Sequence, residues 1–215
     1  MTLPSRVHSL LLACLPPDEP QFRGIRRALN ELGSEQGCWA LHWAGEPLRL
    51  RRRRALRAVL ITGHGREARA GFAAYSPQEV AFEPSSLALP SSCRLYLAAC
   101  FQGRADLRAA WAEGTGLPVG HVHGSRGETE SALTTGLLLH LLEEGAASLE
   151  RWFAAWLETN DALRPHFPRI RQCYRDNAGD PLATLAELAG LARETGTEEF
   201  VSVLRRRPEY LTGLI

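Results

Sequence analysis

The chain contains no lysine. All 25 of its basic residues are arginine, set against 24 acidic residues, and the formal net charge is +1. A GC-rich coding sequence accounts for this bias; the sharper reading is a lysine-specific protease that does not cut itself. A charge so near zero argues against a dedicated nucleic-acid or membrane-surface protein, which would carry an excess of one sign. The most basic stretch, residues 51–54 flanked by Arg49 and Arg57, has no aromatic residue within it and reads as a solvated helix face. No apolar run is long enough to span a membrane. Leu11-Leu12-Ala13-Cys14 has the form of a lipoprotein cleavage box. The apolar segment before it is short and is interrupted by His8 and Ser9, so residues 7–15 are expected to form a core strand and not a signal.

Cysteine is sparse and odd in number: Cys14, Cys38, Cys93, Cys100 and Cys173. None stands in a CxxC pair, which excludes a zinc ribbon and argues against a disulfide framework; a reducing cytosol fits better. His42, His121, His140 and His166 lack metal-ligand spacing, so no metal is expected. Gly63-His64-Gly65 lacks the further glycines of a phosphate loop, and no cofactor is expected. Internal repeats and low-complexity linkers are absent too.

What is present is an alternation of short apolar runs with helical patterns. Strands are expected at residues 7–15, 37–43, 58–62, 95–99 and 117–123. Helices are expected at 19–32, with Gly33 as its cap, and at 48–56, 105–113, 128–144 and 148–157. Residues 71–89 suit a small hairpin followed by a short helix near Pro84. This order implies an α/β fold, a mostly parallel sheet with helices on both faces. Beyond residue 160 the pattern is helical. Asp180-Pro181 opens one helix, and Thr197 with Glu198 and Glu199 opens another that Pro208 ends. Two parts are expected, residues 1–160 as the main domain and 161–215 as a helical extension.

Two of the runs end in reactive groups. Val59-Leu60-Ile61-Thr62 leads into Gly63-His64-Gly65, and Leu95-Tyr96-Leu97-Ala98-Ala99 leads into Cys100. A parallel sheet presents such endings at its carboxyl edge, where open α/β folds place their chemistry. A thiol beside an imidazole is the pair that nucleophilic cysteine catalysis requires. Backbone N–H groups must also hold the oxyanion, and Gly65 and Cys100 are the candidates.

Strand–His–Gly followed by a strand ending in Ala-Cys resembles the caspase-like cysteine peptidases, most closely the bacterial CHAT-type domains. The resemblance covers roughly residues 5–160. It implies His64 as base, Cys100 as nucleophile and Gly65 as an oxyanion donor. His123-Gly124 repeats the dipeptide but follows the Ala-Cys strand, so the family order favours His64. In this family the substrate pocket is built by loops after the first, fourth and fifth strands. Here those loops contain Asp18, then Gln102, then Arg126. Asp18 would receive a basic side chain and Arg126 an acidic one. Ala98 stands where caspases have glutamine, and no long cleavable linker follows Cys100; the likeness therefore does not extend to caspase aspartate specificity or to activation by linker cleavage.

The reading is thus a cytoplasmic cysteine endopeptidase acting on a protein substrate. It is expected to be gated by a regulatory protein partner in a bacterial defence or cell-death system, without nucleic acid or membrane as partner. Two rivals remain at this point. One is a catalytically silent caspase-fold binding or scaffold module. The other is an α/β signalling or nucleotide-binding domain in which Cys100 is merely buried.

Overall fold

The first apolar run becomes strand β1, Ser9–Cys14, and all six of its residues are buried, as expected for a strand in the middle of a sheet. The computed structural model describes residues 8–15, 19, 22–34, 39–43, 56–73, 80–177 and 180–211. The segment 48–55 of an expected helix, together with Asp18, Cys38, Arg49 and the arginines at 51–54, lies outside them. The chain divides into two units, residues 1–17 with 33–128, and residues 18–32 with 129–215. The boundary expected at residue 160 falls instead inside a helix of the second unit, Leu149–Leu163.

In the first unit β1 pairs in parallel with β2 (Trp39–Trp43) on one side and β3 (Ala58–Gly65) on the other. β3 pairs in parallel with β6 (Arg94–Ala98), and β6 with β7 (Val122–Gly124). The result is a five-stranded parallel sheet in the order β2-β1-β3-β6-β7, an α/β arrangement as expected. β4 (Phe72–Ala73) and β5 (Val80–Phe82) form the antiparallel hairpin foreseen after β3, followed by a 3₁₀ turn at Pro84–Ser86. The fifth strand is shorter than its apolar run suggested, because Val119–His121 is a 3₁₀ turn and only Val122–Gly124 pairs.

Alternation along the strands assigns their faces. Leu10, Leu12, Val59, Ile61, Leu95, Leu97 and Val122 share one face and form a core with Phe72 and Phe82 of the hairpin. Trp111 and Ala112 of helix α2 (Ala105–Thr115) and Leu117 belong to it too. Leu11, Leu60, Tyr96 and Ala98 lie on the opposite face and are buried as well.

Helix α1 runs Arg23–Ser34 and so continues through Gly33. Gly33 is therefore not a cap. A Cβ there would stand 2.8 Å from the Cβ of Leu41 on β2, so close packing is what excludes a side chain. The second unit contains most of α1 and helices α3 (Ser131–Glu144), α4 (Leu149–Leu163), α5 (Phe167–Asp176), α6 (Pro181–Thr195) and α7 (Glu198–Arg206). α3 is buried at every position from Ala132 to Leu141, as a helix apolar all round must be. The Asp180 carboxylate accepts from the Leu182 N–H at 2.8 Å, capping α6 as the Asp-Pro pair predicts.

Candidate active site

The site is assembled at the carboxyl ends of β3 and β6, within the first unit. The last paired residues of these strands are Thr62 and Ala98. His64 and Cys100 each lie two residues further on along neighbouring parallel strands. The approach of the two chains continues beyond the ladder. A Cβ on Gly65 would overlap the Cys100 carbonyl oxygen and stand 3.0 Å from the Ala99 Cβ. Only glycine allows that approach, which explains the residue after His64. β3 stays extended through Gly65 because its end pairs antiparallel with β4, His64 opposite Ala73 and Gly65 opposite Phe72. His64 is exposed and Cys100 partly exposed.

The turn around Cys100 is unusually tight. The Gln102 N–H donates to the Cys100 carbonyl at 2.9 Å, closing a three-residue turn over Phe101. Phe101 has φ 65°, the only non-glycine residue with positive φ among the described residues. Such turns are rare and strained, and they persist where surrounding bonds hold them. Those bonds are present. The Phe101 N–H donates to the Gly127 carbonyl at 2.9 Å, and the Gly103 N–H to the Ser125 carbonyl at 2.7 Å. The loop after β7 thereby grips the turn after β6. Gly103 has no room for a side chain because a Cβ would overlap the Gly124 carbonyl.

Gln102, expected in the substrate pocket, has a different place. It is fully buried. Its Oε1 accepts from the Gly71 N–H at 3.0 Å and from Trp111 Nε1–H at 2.8 Å, and its Nε2 donates to the Arg66 carbonyl at 2.7 Å. The carboxamide is occupied by the protein, bonded to two main-chain groups and one indole. It ties the end of the His64 strand, the start of the hairpin and α2 to the Cys100 turn. Sequence reasoning did not find this bracket; the one local sign was a polar residue between Phe101 and Gly103.

Arg126 is exposed, in the loop whose Ser125 and Gly127 carbonyls hold the Cys100 turn. Asp18 is outside the described residues. His123 lies on β7, level with Tyr96 and stacked on its ring at 5.1 Å between centroids. β6 ends at Ala98, and beyond it the Cys100 turn folds back so that Gly103 packs on Gly124, the residue after His123. Pairing distinguishes the two His-Gly pairs: His123 is within the β6–β7 ladder opposite Tyr96, whereas His64 lies beyond the last β3–β6 pair, as Cys100 does.

The described cysteines also differ. Burial pushes the thiols of Cys14 and Cys93 up to about 12, so both stay protonated at neutral pH. Cys100 and Cys173 are partly exposed, and none of the four forms a disulfide. Among the described residues no group of three His, Cys, Asp or Glu side chains is arranged to hold a metal ion. No helix of the described residues is long and apolar enough to cross a membrane. Comparison with protein-family models, curated proteins and solved structures found no match to this chain.

Proposed function

We propose that the chain is a cysteine endopeptidase of the caspase-like type. The observation that supports this reading is that His64 and Cys100 follow the ends of the adjacent parallel strands β3 and β6, with Gly65 packed on the Cys100 backbone. In the proposed reaction Cys100 Sγ attacks the peptide carbonyl, and His64 takes the thiol proton and delivers it to the leaving amine. The N–H groups of Gly65 and Cys100 receive the developing oxyanion. Water then hydrolyses the thioester and regenerates the thiol. The strained Phe101 turn supports the reading, since such backbone is held at working sites more often than elsewhere.

The enzyme is proposed to work in the cytoplasm, where free thiols are the expected state. It is further proposed to be gated by a regulatory protein partner in a bacterial defence or cell-death system, because an ungated endopeptidase of this kind would be hazardous to its host. The test is cleavage of a diverse peptide library read by mass spectrometry. Wild type is compared with Cys100→Ala and His64→Ala, with and without the products of neighbouring genes. Cuts that vanish in both variants support the assignment, and cuts that persist in both overturn it. Activity that needs no added partner removes the gating.

A further inference from the structure

Gln102 stands two residues after Cys100, and the carbonyl that its Nε2 reaches, that of Arg66, stands two residues after His64. One side chain thus bridges the two segments that carry the candidate pair. The partners settle which way the carboxamide faces. The Gly71 N–H and the Trp111 indole can only donate and the Arg66 carbonyl can only accept, so Oε1 meets the first two and Nε2 the third. Arg66 and Gly71 are the two ends of a bend whose residues 67–69 are exposed. The carboxamide closes the base of that bend as a main-chain peptide group would, donating to one end and accepting from the other. Behind it, Trp111 of α2 is buried in the core of the sheet and anchors it there.

Gly65 and Gln102 limit movement in opposite directions. Contact of Gly65 with the Cys100 carbonyl stops the two segments from closing further. The 2.7 Å bond from Nε2 to the Arg66 carbonyl, made by a side chain that is fully buried, resists their separation. Phe101, at φ 65°, lies between Cys100 and Gln102, so the same carboxamide also holds the strained turn in place.

We infer that Gln102 is a positioning residue for the proposed reaction: its carboxamide holds the end of the His64 strand and the Cys100 turn at one spacing, so that the imidazole governs the reactivity of the thiol. It acts through the main chain at Arg66 and Phe101 and not on the substrate. The inference rests on the peptidase reading in taking His64 and Cys100 as a working pair.

The test is a double-mutant cycle read by alkylation, which needs no substrate. Full chains with and without His64→Ala, each with and without Gln102→Met, are treated with iodoacetamide at neutral pH. The rate at Cys100 is followed by mass spectrometry. Methionine keeps the length of the side chain and removes its hydrogen-bonding groups. Cys14 and Cys93 are buried, and their protection in the same spectra reports that the fold is intact. His64→Ala is expected to slow Cys100 about tenfold when Gln102 is present and less than about twofold beside Gln102→Met, a coupling of the size that groups in one network show. A side chain that merely stabilised the fold would leave the two effects additive. An equal His64 effect in both backgrounds overturns the inference and leaves the peptidase reading standing. No His64 effect in either background overturns both. Where Gln102→Met exposes Cys14 or Cys93, Trp111→Phe takes its place, since it removes one of the two donors to Oε1. It is expected to cut the His64 effect to about threefold or less, and an undiminished effect overturns the inference.

Discussion

Gly65 and Cys100 are packed backbone to backbone, with no space between them for a methyl group. The contact joins the ends of two strands that carry the candidate base and nucleophile, so any side chain at 65 must push those ends apart. Gly65→Ala is therefore expected to destabilise the fold by about 1–3 kcal/mol, the usual range for an overpacked site. Peptide cleavage is expected to fall at least as steeply as with a lost oxyanion donor, about a hundredfold. Urea unfolding and library cleavage measure the two effects; an unchanged urea midpoint would show that the strand ends tolerate separation.

Gln102 serves three partners from one carboxamide. Gln102→Leu leaves the Gly71 N–H, the Trp111 indole N–H and the Arg66 carbonyl unmatched in a buried place. At about 1–3 kcal/mol for each unmatched group, the loss is expected to exceed about 3 kcal/mol. Gln102→Glu retains the acceptor oxygens but removes the donor to Arg66 and buries a charge, so it is expected to be destabilising also. Denaturant midpoints of the two variants check this. Wild-type stability in either one would show that Gln102 is not a bracket.

The thiols are expected to separate by reactivity. In the native protein iodoacetamide should modify Cys100, while Cys14 and Cys93 stay protected until global unfolding, because burial holds both protonated and out of reach. Mass spectrometry of peptides after graded alkylation reads the order. Modification of Cys14 or Cys93 ahead of Cys100 would contradict the assignment of the nucleophile.

Two buried groups in the second unit give stability opposite dependences on pH. His140 is stacked on Trp152, and its Nε2 lies 2.8 Å from the Phe200 carbonyl. Burial pushes its pKa below the ordinary 6.5. The unfolded chain therefore takes up a proton first as pH falls, and stability drops below about 6.5 until the folded imidazole also titrates. Glu130 is buried, and burial pushes its carboxyl above the ordinary 4.5, opposed by its ion pair with Arg171 at 3.1 Å. The unfolded chain loses that proton first as pH rises, so stability drops above about 4.5 until the folded carboxyl ionises. His140→Gln is expected to flatten the acid-side loss, and Glu130→Gln the loss above 4.5. Thermal midpoints across pH for wild type and both variants test the signs. A variant whose profile parallels wild type would remove that group from the account.

The local pattern of the chain was enough for a large part of this description. Apolar runs with turn residues at their ends marked the parallel strands, and the order His-Gly then Ala-Cys put an imidazole and a thiol at strand ends. Asp180 and Pro181 marked a helix start that the structure keeps. These features are legible because propensity, capping and periodicity depend on neighbours a few residues apart. Tertiary structure decided the rest. Pairing distinguishes His64 from His123, since both follow the same dipeptide logic and only the structure shows His123 inside the β6–β7 ladder and His64 beyond the last β3–β6 pair. Gly33 reads as a cap, but Leu41 on a different element is what excludes a side chain there. Gln102 reads as a pocket residue from its place after Cys100, and turns inward because Gly71, Trp111 and the Arg66 carbonyl need partners. Whether a polar group is satisfied depends on atoms far away in the chain, and only the packed fold brings those atoms together.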